Sequence, residues 1–217
     1  MKYLATTPGP PDLAAGIWRY MDDWKLDKML GTLADADKWI PSKGGRTEYR
    51  VNPGLLWFGF PSSFADPREG SFPDVNVDPE KYCDAMAQQM GLEPAEAAAR
   101  KHRFLAGKTD ALKRAIFLRA QLHGVSCWTA NVAESQDMWD VFTSERNGIA
   151  ICSTLEKVLL GLQEGHPSLI TRARIEPCDV TYVDHKDCLL TPDGDRALLS
   201  IVRESYSYEN EVRLLAM

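Results

Sequence analysis

Residues 206–217 of the chain are YSYENEVRLLAM, so that two carboxylates stand directly before an apolar run. The run predicts a strand, and in a strand the side chains at i and i+2 point to the same face. Glu209 and Glu211 are therefore expected to project together, and like charges that close raise the pKa of one member. A carboxyl group of raised pKa beside Arg213 suits acid–base or electrostatic work in a cleft. A solvated edge strand is the simpler interpretation, and this segment alone favours it.

The composition sets limits on the class of protein. A length of 217 residues fits one domain with a sizeable core. The formal net charge of −6 argues against broad binding to a nucleic-acid backbone. No apolar run approaches the ~20 residues that a membrane span needs.

The N-terminus and the cysteines bear on the cellular compartment. Residues 1–8, MKYLATTP, lack an apolar segment of secretory length, so no signal peptide is expected. The five cysteines are widely spaced, without a CxxC pair, and they suggest neither a zinc site nor a disulfide framework. We therefore expect a cytoplasmic, reduced protein without a metal site.

The order of segments predicts a mixed α and β (α+β) chain. Helical spacing runs through residues 79–123, where Pro79 and Pro94 stand at positions that a first helical turn tolerates, so a helical insertion is expected there. The regular βα units and Gly-rich phosphate loops of a parallel nucleotide-binding fold are missing from the sequence. Predicted strands fall at 17–20, 55–60, 125–129, 148–152, 178–183 and 212–215, and further helices at about 134–144, 154–163 and 193–204.

Two of the predicted strands carry polar side chains of chemical interest. Arg19, between two aromatic residues, could bind a phosphate with both arms of its guanidinium group. Alternatively, Trp18 and Tyr20 pack in the core while Arg19 extends to solvent. In the strand 125–129, Cys127 has no neighbouring base in the sequence that would make it a nucleophile.

Short motifs along nearly the whole chain resemble those of a widespread family of uncharacterised bacterial proteins. The family pattern has an Arg-Tyr near the start, an Asn-Asp-Pro-Phe turn, a Cys-Phe-Ser strand, a Met-Trp helix leading to a Gly-containing strand, and a terminal Glu-x-Glu-x-Arg. In this chain the corresponding motifs are Trp18-Arg19-Tyr20, SFADP at 63–67, VSCWT at 125–129, DMW at 137–139, GIAI at 148–151, VTY at 180–182 and YENEVR at 208–213.

This pattern is in turn similar to the ADP-ribosyltransferase fold, in its branch with an arginine, a strand serine and a Glu-x-Glu. The resemblance implies a single domain over residues 1–217, with two small, twisted antiparallel sheets around an NAD cleft. Helices pack around the sheets, and the helical insertion at about 79–123 is an addition to them.

The resemblance also implies roles for particular residues. Arg19 would hold the NAD phosphates or ribose, and Glu211 would hydrogen-bond the nicotinamide ribose and stabilise an oxocarbenium-like transition state. Glu209 would polarise an acceptor. Either Ser126 or Thr129 would supply the bracing hydroxyl group, because this strand departs from the family's Cys-Phe-Ser.

The aromatic wall for nicotinamide depends on the register of strand 125–129. Tyr20 and Trp128 are the candidates for stacking. Since alternate residues share a face, Trp128 points the same way as Ser126. If that face lines the cleft, Cys127 is buried and inert. The opposite register places Trp128 in the core, transfers the hydroxyl role to Thr129 and leaves Tyr20 as the stacking partner.

The expected function is that of an NAD-consuming enzyme. It would be an ADP-ribosyltransferase or an NAD glycohydrolase in a toxin or phage-defence setting, with NAD as substrate and a macromolecule as acceptor. The alternative is a catalytically silent module that binds a ligand or a partner in the same cleft. Convergence of Arg19, Ser126 and Glu211 on one cleft distinguishes the enzyme.

Overall fold

The computed structural model describes most of the residues of the chain. These are residues 2–4, 11–30, 40–41, 47–48, 56, 58–105, 114, 117–118, 120–143, 147–165, 174–190 and 195–217. The strands are β1 Lys2–Leu4, β2 Gly16–Asp22, β3 Ile40–Pro41, β4 Thr47–Glu48, β5 Gly124–Thr129, β6 Gly148–Thr154, β7 Ile175–Asp179, β8 Thr181–Val183, β9 Cys188–Leu190, β10 Ile201–Arg203 and β11 Glu211–Ala216. The α-helices are α1 Asp23–Leu30, α2 Asp74–Val77, α3 Pro79–Gln89, α4 Pro94–Leu105, α5 Gln136–Phe142, α6 Leu155–Gly165 and α7 Asp195–Leu199, and 3₁₀ helices span Pro61–Ser63 and Glu204–Glu209.

The architecture centres on a five-stranded antiparallel sheet in the order β6-β2-β5-β11-β7. The remaining described strands form two-stranded pairs, of which β1–β9 and β8–β10 are parallel and β3–β4 is antiparallel. The expected mixture of α and β structure is confirmed. The resemblance to ADP-ribosyltransferases implies two small antiparallel sheets, whereas the described strands form one five-stranded sheet and separate pairs.

Each face of the sheet is defined by the pairing of β5 with β11. Trp128 pairs with Val212, and Ser126 pairs with Leu214. Because directly opposed side chains lie on the same side of a sheet, these four residues mark one side, which we call the apolar face. Glu211 and Arg213 lie with their partners Thr129 and Cys127 on the other side, which we call the acidic face.

Both faces bury apolar side chains. On the apolar face, Trp128, Val212 and Leu214 pack with Ile17 of β2 and Leu155 of α6. On the acidic face, Glu211 and Arg213 occupy the first half of β11, and an apolar cluster packs against its second half. Members of this cluster include Val125, Cys178, Leu198, Leu199, Ile201 and Leu215. The five-stranded sheet therefore forms the middle layer between two cores.

Helices α3 and α4 lie within the region where the sequence predicts a helical insertion. Each begins with the proline that the sequence placed in a first helical turn. The carboxylate of Asp78 caps α3 by accepting from the N–H of Glu80 at 3.0 Å and of Lys81 at 3.2 Å. Residues 106–113 of the predicted insertion lie outside the described residues.

Three segments differ from the sequence prediction. The predicted helix 193–204 ends at Leu199, and the chain continues as strand β10. The predicted strand 178–183 is divided between β7 and β8. Of the predicted strand 55–60, residues 55 and 57 lie outside the described residues, and Gly59 forms an isolated antiparallel bridge with Val125. None of the helices in the described residues has both the length and the apolar character needed to cross a membrane.

Replacement of Leu214 by alanine tests the apolar core. Leu214 is fully buried, so truncation leaves a cavity, and Leu214→Ala should lower the free energy of unfolding by about 2–5 kcal/mol. Leu122→Ala is the matched control, because Leu122 is 75% exposed and its truncation should change stability by less than about 0.5 kcal/mol. Chemical denaturation measures both, and equal effects would contradict the assignment of Leu214 to the core.

Candidate functional site

Arg213 is the most deeply buried charge of the acidic face, with 2% of its surface exposed. Its Nε and Nη2 donate to the two carboxylate oxygens of Glu211 at 2.9 and 3.0 Å, and Nη1 donates to Glu69 at 2.5 Å. Nη1 also donates to the carbonyl oxygen of Leu199 at 2.7 Å. The guanidinium group thereby joins β11, the segment around Glu69 and the end of α7.

This cluster holds two carboxylates for one guanidinium group. Burial disfavours the charged guanidinium, but Glu211 and Glu69 outweigh that effect and raise the pKa of Arg213 above its ordinary value. Burial raises the pKa of Glu69, although Arg213 acts against that shift. Glu211 is fixed further by its backbone, whose N–H donates to the hydroxyl oxygen of Tyr182 at 2.6 Å.

Glu209 approaches the cluster from a different backbone element. It ends the 3₁₀ helix Glu204–Glu209, and Asn210 follows with φ of 42°, a left-handed conformation that asparagine tolerates. The side chain of Asn210 holds this turn in place by donating to the carbonyl oxygen of Ala130 at 2.7 Å. The sequence predicted Glu209 and Glu211 at i and i+2 of one strand, but the strand begins at Glu211.

The two glutamates nevertheless interact. The pKa of Glu209 is raised to about 7, mainly by burial and secondly by the negative charge of Glu211. The effect expected of neighbouring like charges is therefore present, although it arises from a turn and not from the alternation of a strand. A carboxyl group with this pKa is partly ionised at neutral pH, which suits it to accept or donate a proton.

Glu209, Glu211 and Arg213 line a cavity of about 460 Å³, a size within the range of small-molecule sites. β2 and β5 are paired at Trp18 and Thr129, and the cavity lies beside this pair. Side chains from both faces of the sheet contribute to the lining, together with residues of the 61–69 segment, of β10 and of the 3₁₀ helix Glu204–Glu209.

Aromatic side chains form part of this lining. Trp18 and Tyr20 stack at a centroid distance of 6.3 Å, and Tyr20 meets Trp139 edge-on at 5.0 Å. The hydroxyl oxygen of Tyr20 accepts from the N–H of Ser135 at 2.9 Å, which fixes the ring. Tyr206 lines the cavity as well and packs against the guanidinium group of Arg203.

Arg19 and Ser126 meet on the apolar face. The hydroxyl oxygen of Ser126 accepts from Arg19 Nη1 and, at 3.2 Å, from Trp128 Nε1. The guanidinium carbon of Arg19 lies 5.7 Å from the centroid of the Trp128 ring. Burial lowers the pKa of Arg19 to about 10, so the group remains a cation at neutral pH.

The structure therefore divides the predicted site between the two faces of the sheet. Arg19 and Ser126 are joined to each other, whereas Glu211 projects from the opposite face. Arg19 and Trp128 still reach the cavity that Glu211 lines, but Ser126 lies outside the lining formed by the described residues.

Strand β5 has the second of the two registers considered for it. Trp128 is 2% exposed and packs in the core of the apolar face, although it also contributes to the cavity lining, whereas Cys127 and Thr129 line the cavity from the face that carries Glu211. Of the two stacking candidates, Tyr20 shares the acidic face with Glu211, but it is only 6% exposed and already stacks on Trp18. Burial and the charge of Glu211 raise the pKa of Cys127 well above its ordinary value, so its thiol is a poor nucleophile.

Several contributors to the site are missing from the sequence prediction. Glu69 and Tyr182 contact the Arg213–Glu211 pair, and Asp66 binds Arg203 Nε at 2.6 Å beside the cavity. Asp66 belongs to the turn motif at 63–67, so the sequence offered a signal for it. The sequence around Glu69 gives no indication that its partner is Arg213. The part of the chain that the structure describes holds no group of three or more His, Cys, Asp and Glu side chains suited to a metal ion.

Comparisons of the chain with protein-family models, with curated proteins and with solved structures found no match. The function of the site therefore has to be argued from its own geometry.

Replacement of Arg213 tests how much the folded state depends on this buried cation. Arg213→Met leaves two buried carboxylates unpaired and should lower the free energy of unfolding by about 3–5 kcal/mol near neutral pH. The loss should shrink as the pH falls, because protonation of the carboxyl groups removes the unpaired charge. Denaturation at several pH values measures both effects.

Arg68→Met is the matched control for this experiment. Arg68 pairs with Asp74 at 2.6 Å, but the side chains are 44% and 39% exposed, so the loss should stay within about 1 kcal/mol. A cost for Arg213→Met that is no larger than this control, or that is independent of pH, would contradict the ion cluster.

Proposed function

We propose that the chain is an NAD-consuming enzyme, either an ADP-ribosyltransferase or an NAD glycohydrolase, that works in the cavity between β2, β5 and β11. One observation carries the proposal: Glu209, whose carboxyl pKa is raised to about 7, lines the same cavity as the Arg213-bound carboxylate of Glu211. Two neighbouring carboxyl groups held in different environments are typical of acid–base chemistry.

The two glutamates would have different roles in cleaving the bond between nicotinamide and ribose. As that C–N bond breaks, its electron pair leaves with nicotinamide and positive charge develops on the ribose carbon. Glu211, held in a fixed direction by Arg213, stabilises this charge electrostatically. Water or an acceptor hydroxyl group then forms the new C–O bond, and its proton passes to the ionised form of Glu209.

The remaining lining suits the other parts of NAD. Trp18, the more exposed ring of the stacked Trp18–Tyr20 pair, is the surface on which nicotinamide would stack, since aromatic rings pack in offset or edge-on arrangements. Arg19 supplies a cation for the pyrophosphate, with a bidentate geometry that matches phosphate oxygens. Thr129 is paired with Glu211 on the acidic face, so we assign the bracing role to its hydroxyl group in place of that of Ser126. In the structure this hydroxyl group donates to the sulfur of Met138 at 3.6 Å.

The proposal includes an ADP-ribosyltransferase-like cleft. Val202 of β10 lines the same cavity as residues of the five-stranded sheet, so we assign the second wall of the cleft to the β8–β10 pair. In the transferase case a macromolecule is the acceptor, and in the hydrolase case it is water. A toxin or a phage-defence effector would use either reaction.

A binding module without catalysis is the second candidate, and two observations favour it. Ser126, which the enzyme would place in one cleft with Arg19 and Glu211, lies outside the cavity lining formed by the described residues. Both oxygens of Glu211 accept from Arg213, and Arg19 donates to Ser126, so the two groups that NAD chemistry needs are already engaged. If this alternative holds, NAD or a related ligand binds in the cavity without release of nicotinamide.

Nicotinamide release from NAD by the purified protein tests the proposal. Glu209→Gln removes the proton acceptor and should lower the rate ~10²–10⁴-fold. Glu211→Gln removes the charge that faces the developing cation and should cost ~10²–10³-fold. Glu204→Gln, an exposed change in the same 3₁₀ helix as Glu209, should leave the rate unchanged.

Calorimetric binding of NAD separates the two candidates. Binding without nicotinamide release supports the silent module, and absence of both overturns the proposal that NAD is the ligand. Thermal unfolding of each variant shows whether a lost rate reflects chemistry or a destabilised fold.

The pH dependence of stability gives an independent test of Glu209. Between the ordinary pKa of 4.5 and about 7, the folded state holds the Glu209 proton more tightly than the unfolded state does. This group therefore stabilises the fold at low pH, and its contribution is lost as the pH rises through 7. Because Glu209→Gln cannot ionise, its stability relative to the wild type should rise by about 1–2 kcal/mol over this window. A constant difference from pH 4.5 to pH 8 would contradict the raised pKa.

A further inference from the structure

The two edges of the central sheet differ in chemistry. β7 forms one edge, and its sequence Ile175–Asp179 contains two acidic residues and a proline, which cannot donate to a neighbouring strand. β6 forms the other edge with seven residues, GIAICST, none of which is charged or proline. As far as the structure describes the chain, this uncharged edge has no strand on its outer side and can accept one, whereas β7 is protected against pairing.

The backbone pattern shows which groups of β6 face outward. β6 is paired with β2 from Gly16–Thr154 to Asp22–Gly148, and within the described residues β2 is its sole strand partner. The N–H of Asp23 donates to the carbonyl oxygen of Asn147, which marks Asp22–Gly148 as a pair without mutual hydrogen bonds. By alternation, the outward N–H and C=O groups belong to Gly148, Ala150, Cys152 and Thr154.

We propose that β6 is a docking edge for β6 of a second copy of this chain, which joins two sheets into one continuous antiparallel sheet about a two-fold axis. A two-fold interface requires a surface that is complementary to itself. β6 meets this requirement because an uncharged strand placed against its own copy creates no like-charge pair. The same pairing of β7 would place Pro177, which has no N–H to donate, at the centre of the interface and Glu176 diagonal to its own copy.

The register of the proposed pairing follows from the outward groups. Centring the two strands on Ile151 overlaps their full length and places Ala150 directly opposite Cys152 of the second copy. Both residues direct their N–H and C=O groups outward, so this pair exchanges two hydrogen bonds. In this register the exposed side chain of Cys152 lies against a methyl group, and Ile151 lies opposite Ile151 of the second copy.

The outward N–H of Cys152 allows a selective test by proline. Cys152→Pro removes a donor that the proposed interface needs and leaves the hydrogen bonds between β6 and β2 intact, since proline is tolerated on an edge when its N–H would face outward. Cys152→Ala keeps the donor and serves as the matched control. The molar mass in solution, measured by light scattering over a broad range of protein concentration, reports the outcome.

The wild type and Cys152→Ala should be dimers, and Cys152→Pro should be a monomer with unchanged circular dichroism. A wild type that is monomeric at every concentration overturns the proposal, and so does a dimer that survives the proline change. If the wild type is monomeric, a strand of another protein becomes the candidate partner of the β6 edge.

Oxidative cross-linking keeps the test decisive if the proline variant fails to fold. Directly opposed residues in a hydrogen-bonded pair have Cα atoms ~5.5 Å apart, which suits a disulfide. Ala150→Cys should therefore form a covalent dimer through the native Cys152 of the second copy. The same change combined with Cys152→Ser should not, because residue 150 is then diagonal to its own copy. Absence of the cross-link in the first variant overturns the register.

Discussion

The buried guanidinium group of Arg213 is the interaction on which the site depends. It binds Glu211 of its own strand, Glu69 of a distant segment and the carbonyl oxygen of Leu199 where α7 ends. Taking such charges out of water is costly, and their mutual attraction compensates only when the geometry is good. The cluster therefore contributes more to the relative positions of three segments than to net stability, and those positions define one wall of the cavity.

The chemistry of Glu209 follows from this cluster. Two carboxylates share the charge of Arg213, so a third carboxyl group entering the same region meets net negative charge and partial burial together. The turn at Asn210 brings Glu209 to that point. Its pKa of about 7 is thus a consequence of how β11 begins, and the proposed acid–base role rests on the same turn.

Local pattern predicted most of the longer helices and strands but not which of them would be neighbours. The alternation of residues 125–129 predicted that Ser126 and Trp128 share a face, and they do. Which side of the sheet these two residues occupy depends on the pairing of β5 with β11. Strand β11 begins 82 residues after β5 ends, so the local sequence carries no signal of this pairing. Glu69 was missed for the same reason, since its contact with Arg213 spans 144 residues of sequence. The sequence predicts a helix across β10, because the apolar residues of this strand continue directly from those of α7.

The proposed acid–base chemistry depends most directly on the ionisation of the Glu209 carboxyl group. Carbon-detected NMR of side-chain carboxyl groups, with Glu209→Gln to assign the signal, follows Glu209 through a pH titration of the folded protein. We expect its midpoint near pH 7, because burial and Glu211 both disfavour the charged form. A midpoint near the ordinary glutamate value of 4.5 would show that Glu209 is solvated and apart from Glu211, which contradicts the proposed site.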